Sequence, residues 1–162
     1  MRRIQLIIIA TIVALVATMA AAGAAQPNFR THLSGDQEMV PVDTNAQGQA
    51  TLKVSNDGTS MDYRLIVANI EDVTMAHLHL APGGQNGGIV VWLYPEEGQA
   101  PQLIPGRTDG TLATGTITDD DLVGALEGMT LDDLVAEIQA GNIYVNVHTV
   151  ANPGGEIRGQ LS

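Results

Sequence analysis

The chain has 162 residues, no cysteine and a formal net charge of −11 at pH 7. Such acidity excludes nucleic acid as a partner, because a phosphate backbone is held by Lys and Arg, and it disfavours docking on anionic lipid. Without cysteine there is no disulfide and no thiolate for catalysis or metal binding, so a packed core must supply the stability of what reads as a single domain.

Met1-Arg2-Arg3 is a short basic start, Ile4 to Ala22 is almost wholly apolar, and Ala22-Gly23-Ala24-Ala25-Gln26 offers small residues for cleavage. This order predicts a signal peptide, helical, over residues 1–25. An uncleaved anchor is the alternative, since the run is close to the roughly 20 residues that span a bilayer. A secreted or extracytoplasmic protein is therefore expected, touching membrane only through that segment if it is retained. Five of the seven basic residues but all 18 acidic ones lie beyond it.

The domain is expected over residues 28–162. Asn28–Ser34 reads as a first strand with Phe29, Thr31 and Leu33 on one face. Residues 36–47 read as irregular, and Gln49–Ser55 as a second strand. Asn56-Asp57-Gly58-Thr59 is a hairpin turn, followed by an alternating strand from Met61 to Asn69. Met75–Leu80 is a separate strand, with Ala76, Leu78 and Leu80 on one face and His77 and His79 on the other. Pro82–Gly88 is a flexible turn, and the run from Ile89 to Tyr94, lacking alternation, reads as a central strand. Pro95–Arg107 reads as a loop and Gly110–Thr118 as a strand. Thr130–Gly141 is a short helix capped by Thr130, with Asp132 and Asp133 at its positive end and Leu131, Leu134, Val135 and Ile138 as one stripe. Tyr144–Thr149, a Gly-rich turn and a last strand to Leu161 close the chain. About eight short strands and one helix near 130–140 predict an all-β fold, an antiparallel, Greek-key-like β-sandwich or a flattened barrel.

Two histidines at i and i+2 on a strand stand roughly 7 Å apart at Cα and project from one face. His77 and His79 can thus reach one ion, and His148, on the face of Tyr144 and Asn146, is the natural third ligand. Imidazole suits copper and zinc. The alternative is that each histidine bonds loop carbonyls and stiffens the edge of the fold. His32 reads as a surface residue. Glu38 and Glu156 are expected to partner Arg158 or a loop amide rather than each other. No nucleophile elbow, metalloprotease helix, calcium loop or P-loop is present, so no catalytic residues are assigned.

The segment Leu33–Thr44, with Gly35, Glu38, Pro41 and the following Gly48, resembles the opening signature of the CHRD (chordin) domain family. So do Ala76-His77-Leu78-His79 followed by Asn86-Gly87, and the closing Tyr144–Thr149 (with Asn146) and Asn152-Pro153-Gly154-Gly155-Glu156-Ile157-Arg158-Gly159. Met39-Val40-Pro41 stands where that family usually has Val-Pro-Pro. The resemblance implies an extracellular β-sandwich module, found singly in secreted microbial proteins. It implies a non-catalytic binding or structural role toward an extracellular protein or small ligand. The histidine pattern is also similar, more weakly, to copper/zinc superoxide dismutase, where His77, His79 and His148 would be the counterparts of copper ligands. The bridging histidine, the zinc cluster and the disulfide cysteines of that family have no match. The expected alternative is thus a copper- or zinc-binding protein with a three-histidine site, open to dismutase-like redox chemistry.

Overall fold

A computed structural model describes residues 26–95 and 101–162; the expected signal segment lies outside the described residues. Seven strands and one helix follow in order: β1 Asn28–Ser34, β2 Gln47–Val54, β3 Met61–Leu80, β4 Gly88–Tyr94, β5 Ile104–Ile117, α1 Leu131–Gln139, β6 Ile143–Thr149 and β7 Ile157–Gln160. All are antiparallel and belong to one sheet.

The sheet closes on itself. β1 pairs with β2, β2 with the first half of β3, the second half of β3 with β6, β6 with β7, and β7 returns to β1 through Ser34 opposite Arg158. Of the two expected architectures the sheet takes the barrel rather than the sandwich, closed and with seven strands among the described residues in place of about eight. The two strands expected at Met61–Asn69 and Met75–Leu80 are one 20-residue strand. Asn69 (φ 57°) and Asp72 (φ 51°) adopt left-handed backbone between its halves, a conformation these two short polar residues tolerate better than most. The ladder is irregular there, and the strand turns from one side of the barrel to the other without ending. Neighbouring bonds hold the bend: Asn69 N–H donates to Asp109 Oδ1 at 2.8 Å, and Gly106 N–H to Asp72 Oδ1 at 2.7 Å.

Two other expectations change. β5 begins at Ile104, inside the expected loop. β4 lies at the sheet edge rather than its centre, pairing among the described residues only with β3. Its unbroken apolar run is explained by cover on its far side, where Val123 N–H donates to Val90 O at 2.9 Å.

The core lies inside the barrel. Leu33, Leu52, Met61, Leu65, Ile70, Leu78 and Ile157 point inward from the strands, and Leu131, Leu134 and Ile138 of α1 join them. Each such side chain contributes about 1.5–3 kcal/mol on burial. The helix starts where the sequence places it: Asp133 Oδ2 accepts from Thr130 N–H at 2.9 Å and Thr130 Oγ1–H at 2.8 Å, and Gly141 ends it at φ 76°.

Candidate metal centre

Period 2 sets the inward face of β3 as Ala76 and Leu78, leaving His77 and His79 on the opposite face. Register then builds a row across five strands: Trp92 opposite His77, His77 opposite Asn146, Asn146 opposite Arg158, Arg158 opposite Ser34. A second row sets His79 opposite Tyr144 and Tyr144 opposite Gln160. This face would be wet in an ordinary half-buried sheet. Here every residue of β6 is buried, because loops lie across it.

Gly87 belongs to one covering loop. A Cβ there would stand 1.8 Å from Leu80 O, so only glycine lets the loop lie this close. Gly155 belongs to another, with φ 127° and an added Cβ 2.4 Å from Asn146 Oδ1.

His77, His79 and His148 come together beneath these loops, with ligand-capable nitrogens within 4.8 Å of one another. Their exposures are 1%, 8% and 7%. His79 Nδ1 is 3.0 Å from Gly87 O, and His148 Nδ1 is 3.0 Å from Pro153 O. A carbonyl oxygen can only accept, so both nitrogens carry the proton and both Nε2 atoms carry a lone pair. His77 Nδ1 lies 3.2 Å from His148 Nε2. The Nε2 atoms of His77 and His79 are buried without a partner among the described residues, as is Asn146 Oδ1.

Aromatic contacts fix the rings. His77 meets Trp92 edge to face at 4.3 Å between centroids. His79 stacks on Tyr144 at 4.9 Å and 7°. The Arg158 guanidinium carbon lies 3.5 Å from the Tyr144 ring centroid, a cation–π contact. Arg158 also donates to Asn86 Oδ1 at 3.1 Å and Gln85 O at 2.7 Å, and Tyr144 OH accepts from Gly87 N–H at 3.1 Å.

The site keeps its imidazoles neutral. Burial, then the neighbouring His148 and His79, holds His77 down to about 3. Burial likewise lowers His79 to about 4, against the opposing Gly87 hydrogen bond. His148 is lowered by burial, against its bond to Pro153. Neutral imidazole is the form that ligates metal.

Two nitrogens each about 2.0–2.1 Å from one ion stand about 2.9–3.4 Å apart at right-angled to tetrahedral geometry. The 3.2 Å between His77 Nδ1 and His148 Nε2 has that span, but it is a hydrogen bond donated by His77 Nδ1–H, so both nitrogens ligate one ion only once His77 carries its proton on Nε2. A 4.8 Å separation exceeds the roughly 4.1 Å reached by ligands on opposite sides of an ion, so capture needs a small inward rotation of the rings. The Nδ1–H to carbonyl bonds of His79 and His148 are those that orient metal-ligating histidine. The donor set fits a copper or zinc ion.

The other anticipated residues divide into two groups. Glu38, Asn86, Gly87, Asn146, Pro153, Gly155 and Arg158 surround the histidines. Glu38 Oε1 accepts from Asn146 Nδ2 at 2.7 Å, and burial raises its carboxyl, partly offset by Asn146 and Arg158. Glu156 sits beside them, accepting from Thr44 Oγ1 and Thr149 Oγ1, each at 2.7 Å, and from Asn152 Nδ2 at 3.2 Å. Gly35, Gly48 and Gly159 serve the barrel wall and its turns, while Pro41, Gly154 and His32 stay exposed. Sequence reasoning missed Trp92 against His77 and Arg158 over Tyr144. Strand alternation placed these residues on faces but carried no information on the register between strands.

A scan of known proteins adds one finding to this geometry. No curated protein and no solved structure matches the chain, while the family profile described as the CHRD domain matches residues 29–161. That range runs from β1 through the turn over His148 to the end of β7, and the chain belongs to the CHRD domain family.

Proposed function

We propose that this protein is an exported, non-catalytic CHRD module whose ligand is a transition-metal ion, copper or zinc, held by His77, His79 and His148. One observation carries the reading. One nitrogen from each of the three histidines lies within 4.8 Å of the others, and the Nε2 atoms of His77 and His79 are buried without a partner among the described residues. Buried polar atoms without partners are rare and costly, and a cation would satisfy the lone pairs at once. Imidazole selects copper and zinc over calcium or magnesium. Export rests on the signal-like residues 1–25, and N-terminal sequencing of the protein released by its host tests it.

The binding test is titration of the metal-free protein with copper(II) and zinc(II). Trp92 is the chain's single tryptophan and touches His77, so paramagnetic copper(II) is expected to quench it at one equivalent. The His77→Ala/His79→Ala variant should lose that response. Equal binding by wild type and variant overturns the reading. If copper binds, a superoxide assay decides whether the ion is redox-active.

The His77–His148 contact at 3.2 Å favours a second reading, a structural cluster complete in itself. It predicts that the double variant loses stability and that neither ion raises the melting temperature of the wild type.

A further inference from the structure

Arg158 is the one buried Lys or Arg among the described residues, 3% exposed. A guanidinium keeps its charge, and a buried charge is costly unless it is paired. Arg158 is not paired: no carboxylate stands within ion-pair reach of it among the described residues. Its hydrogen bonds go to two neutral acceptors, Asn86 Oδ1 at 3.1 Å and Gln85 O at 2.7 Å. The carboxylates beside the site are engaged elsewhere, Glu38 with Asn146, and Glu156 with Thr44, Thr149 and Asn152. The guanidinium instead rests 3.5 Å from the Tyr144 ring centroid, and Tyr144 stacks on His79. The fold thus keeps a full positive charge against the ring that carries His79.

The donor set brings no negative charge to offset it. Three imidazoles converge, all buried, and no carboxylate joins them among the described residues. The cost of burying an ion rises with the square of its charge, and only opposite charge nearby offsets it. Zinc(II) and copper(II) would bring a double charge into a pocket with no anion among its donors and a cation close by. Copper(I) brings a single charge. Ligand number points the same way. Zinc sites complete four ligands and copper(II) favours tetragonal sets of nitrogen and oxygen, whereas copper(I) is satisfied by three nitrogens.

We propose that the histidine site selects copper(I) over copper(II) and zinc(II), and that Arg158 is the residue that sharpens the selection. The inference rests on the metal reading of His77, His79 and His148 and adds the oxidation state to it. Reduction of bound copper(II) takes one electron, from a reductant such as ascorbate, and no proton. Arg158 favours that step because the product carries less positive charge beside its own.

The test measures three affinities of the protein under nitrogen: copper(I), kept reduced by ascorbate, in competition with bicinchoninate; copper(II), without ascorbate, in competition with glycine; and zinc(II) against a chromophoric chelator. Copper(I) is expected to bind at least about tenfold tighter than either divalent ion, which places the bound copper couple about 59 mV or more above the free-ion couple. Arg158→Gln removes the charge and should narrow the preference over copper(II) about tenfold, lowering the potential by about 59 mV. Asn86→Asp, an isosteric change at an exposed position, sets a carboxylate on the guanidinium and should move the potential in the same direction with the fold undisturbed. Copper(II) or zinc(II) bound as tightly as copper(I) overturns the selection and leaves the metal site standing. Failure of all three ions to bind overturns the metal site itself. A potential that neither variant moves overturns the part given to Arg158.

Discussion

His77, His79 and His148 make the folded protein sensitive to acid. The unfolded value of each ring is near 6.5, and the folded values of His77 and His79 are about 3 and about 4. Between those limits the unfolded chain binds more protons than the folded one, so stability rises with pH across the window. The metal-free protein should be at full stability from these groups above pH 6.5 and lose it progressively as pH falls toward 4. Urea midpoints measured against pH would show the slope. His77→Phe/His79→Phe, which removes two of the titrating rings, should flatten it. Gly87 sets the other residue-scale limit. With Leu80 O 1.8 Å from an added Cβ, Gly87→Ala must push the loop off the sheet and displace the carbonyl that holds His79. A loss of about 1–3 kcal/mol in denaturant unfolding, together with weaker metal binding, is the expected outcome.

At the scale of elements, α1 and β3 show opposite relations to their sequences. Thr130, Asp133 and Gly141 carry the start and stop signals of the helix locally, and the helix forms where they stand. Asp133→Ala should cost about 1 kcal/mol by removing the acceptor of both Thr130 donors, a loss visible in the urea midpoint. β3 was less legible. Asn69 and Asp72 look like the end of one strand and the start of another, as turn residues do. They instead bend a continuous strand, because β5 and then β6 continue to pair with it at Val73. Asp72→Val, which forces a β-branched residue into left-handed backbone, should cost about 1–2 kcal/mol and loosen the β3–β5 ladder, detectable as faster amide exchange at Thr108 and Arg107.

For the whole molecule, stability depends on one core within the closed sheet, without disulfides. Leu65 is fully buried at its centre, and Leu65→Ala should cost about 2–5 kcal/mol. If an ion occupies the histidine site, it adds stability by mass action. Free metal at one hundred times its dissociation constant should contribute about 2.7 kcal/mol. Calorimetry with and without copper(II) or zinc(II) measures it, and His77→Ala/His79→Ala should show no rise.

The sequence by itself determined the β class, the family, the capped helix and the shared face of His77 and His79, because period, caps and turn residues are local. It also set two rival readings of the histidines, ligands of one metal ion or partners of loop carbonyls; His79 and His148 bond carbonyls, while His77 bonds His148 instead. Only the tertiary structure decided that His148 meets His77 across 71 positions of chain and that loops seal a face alternation would leave wet. Those features depend on the register of strands distant in sequence. Register is set by the packing of the whole barrel, and no short stretch of residues contains it.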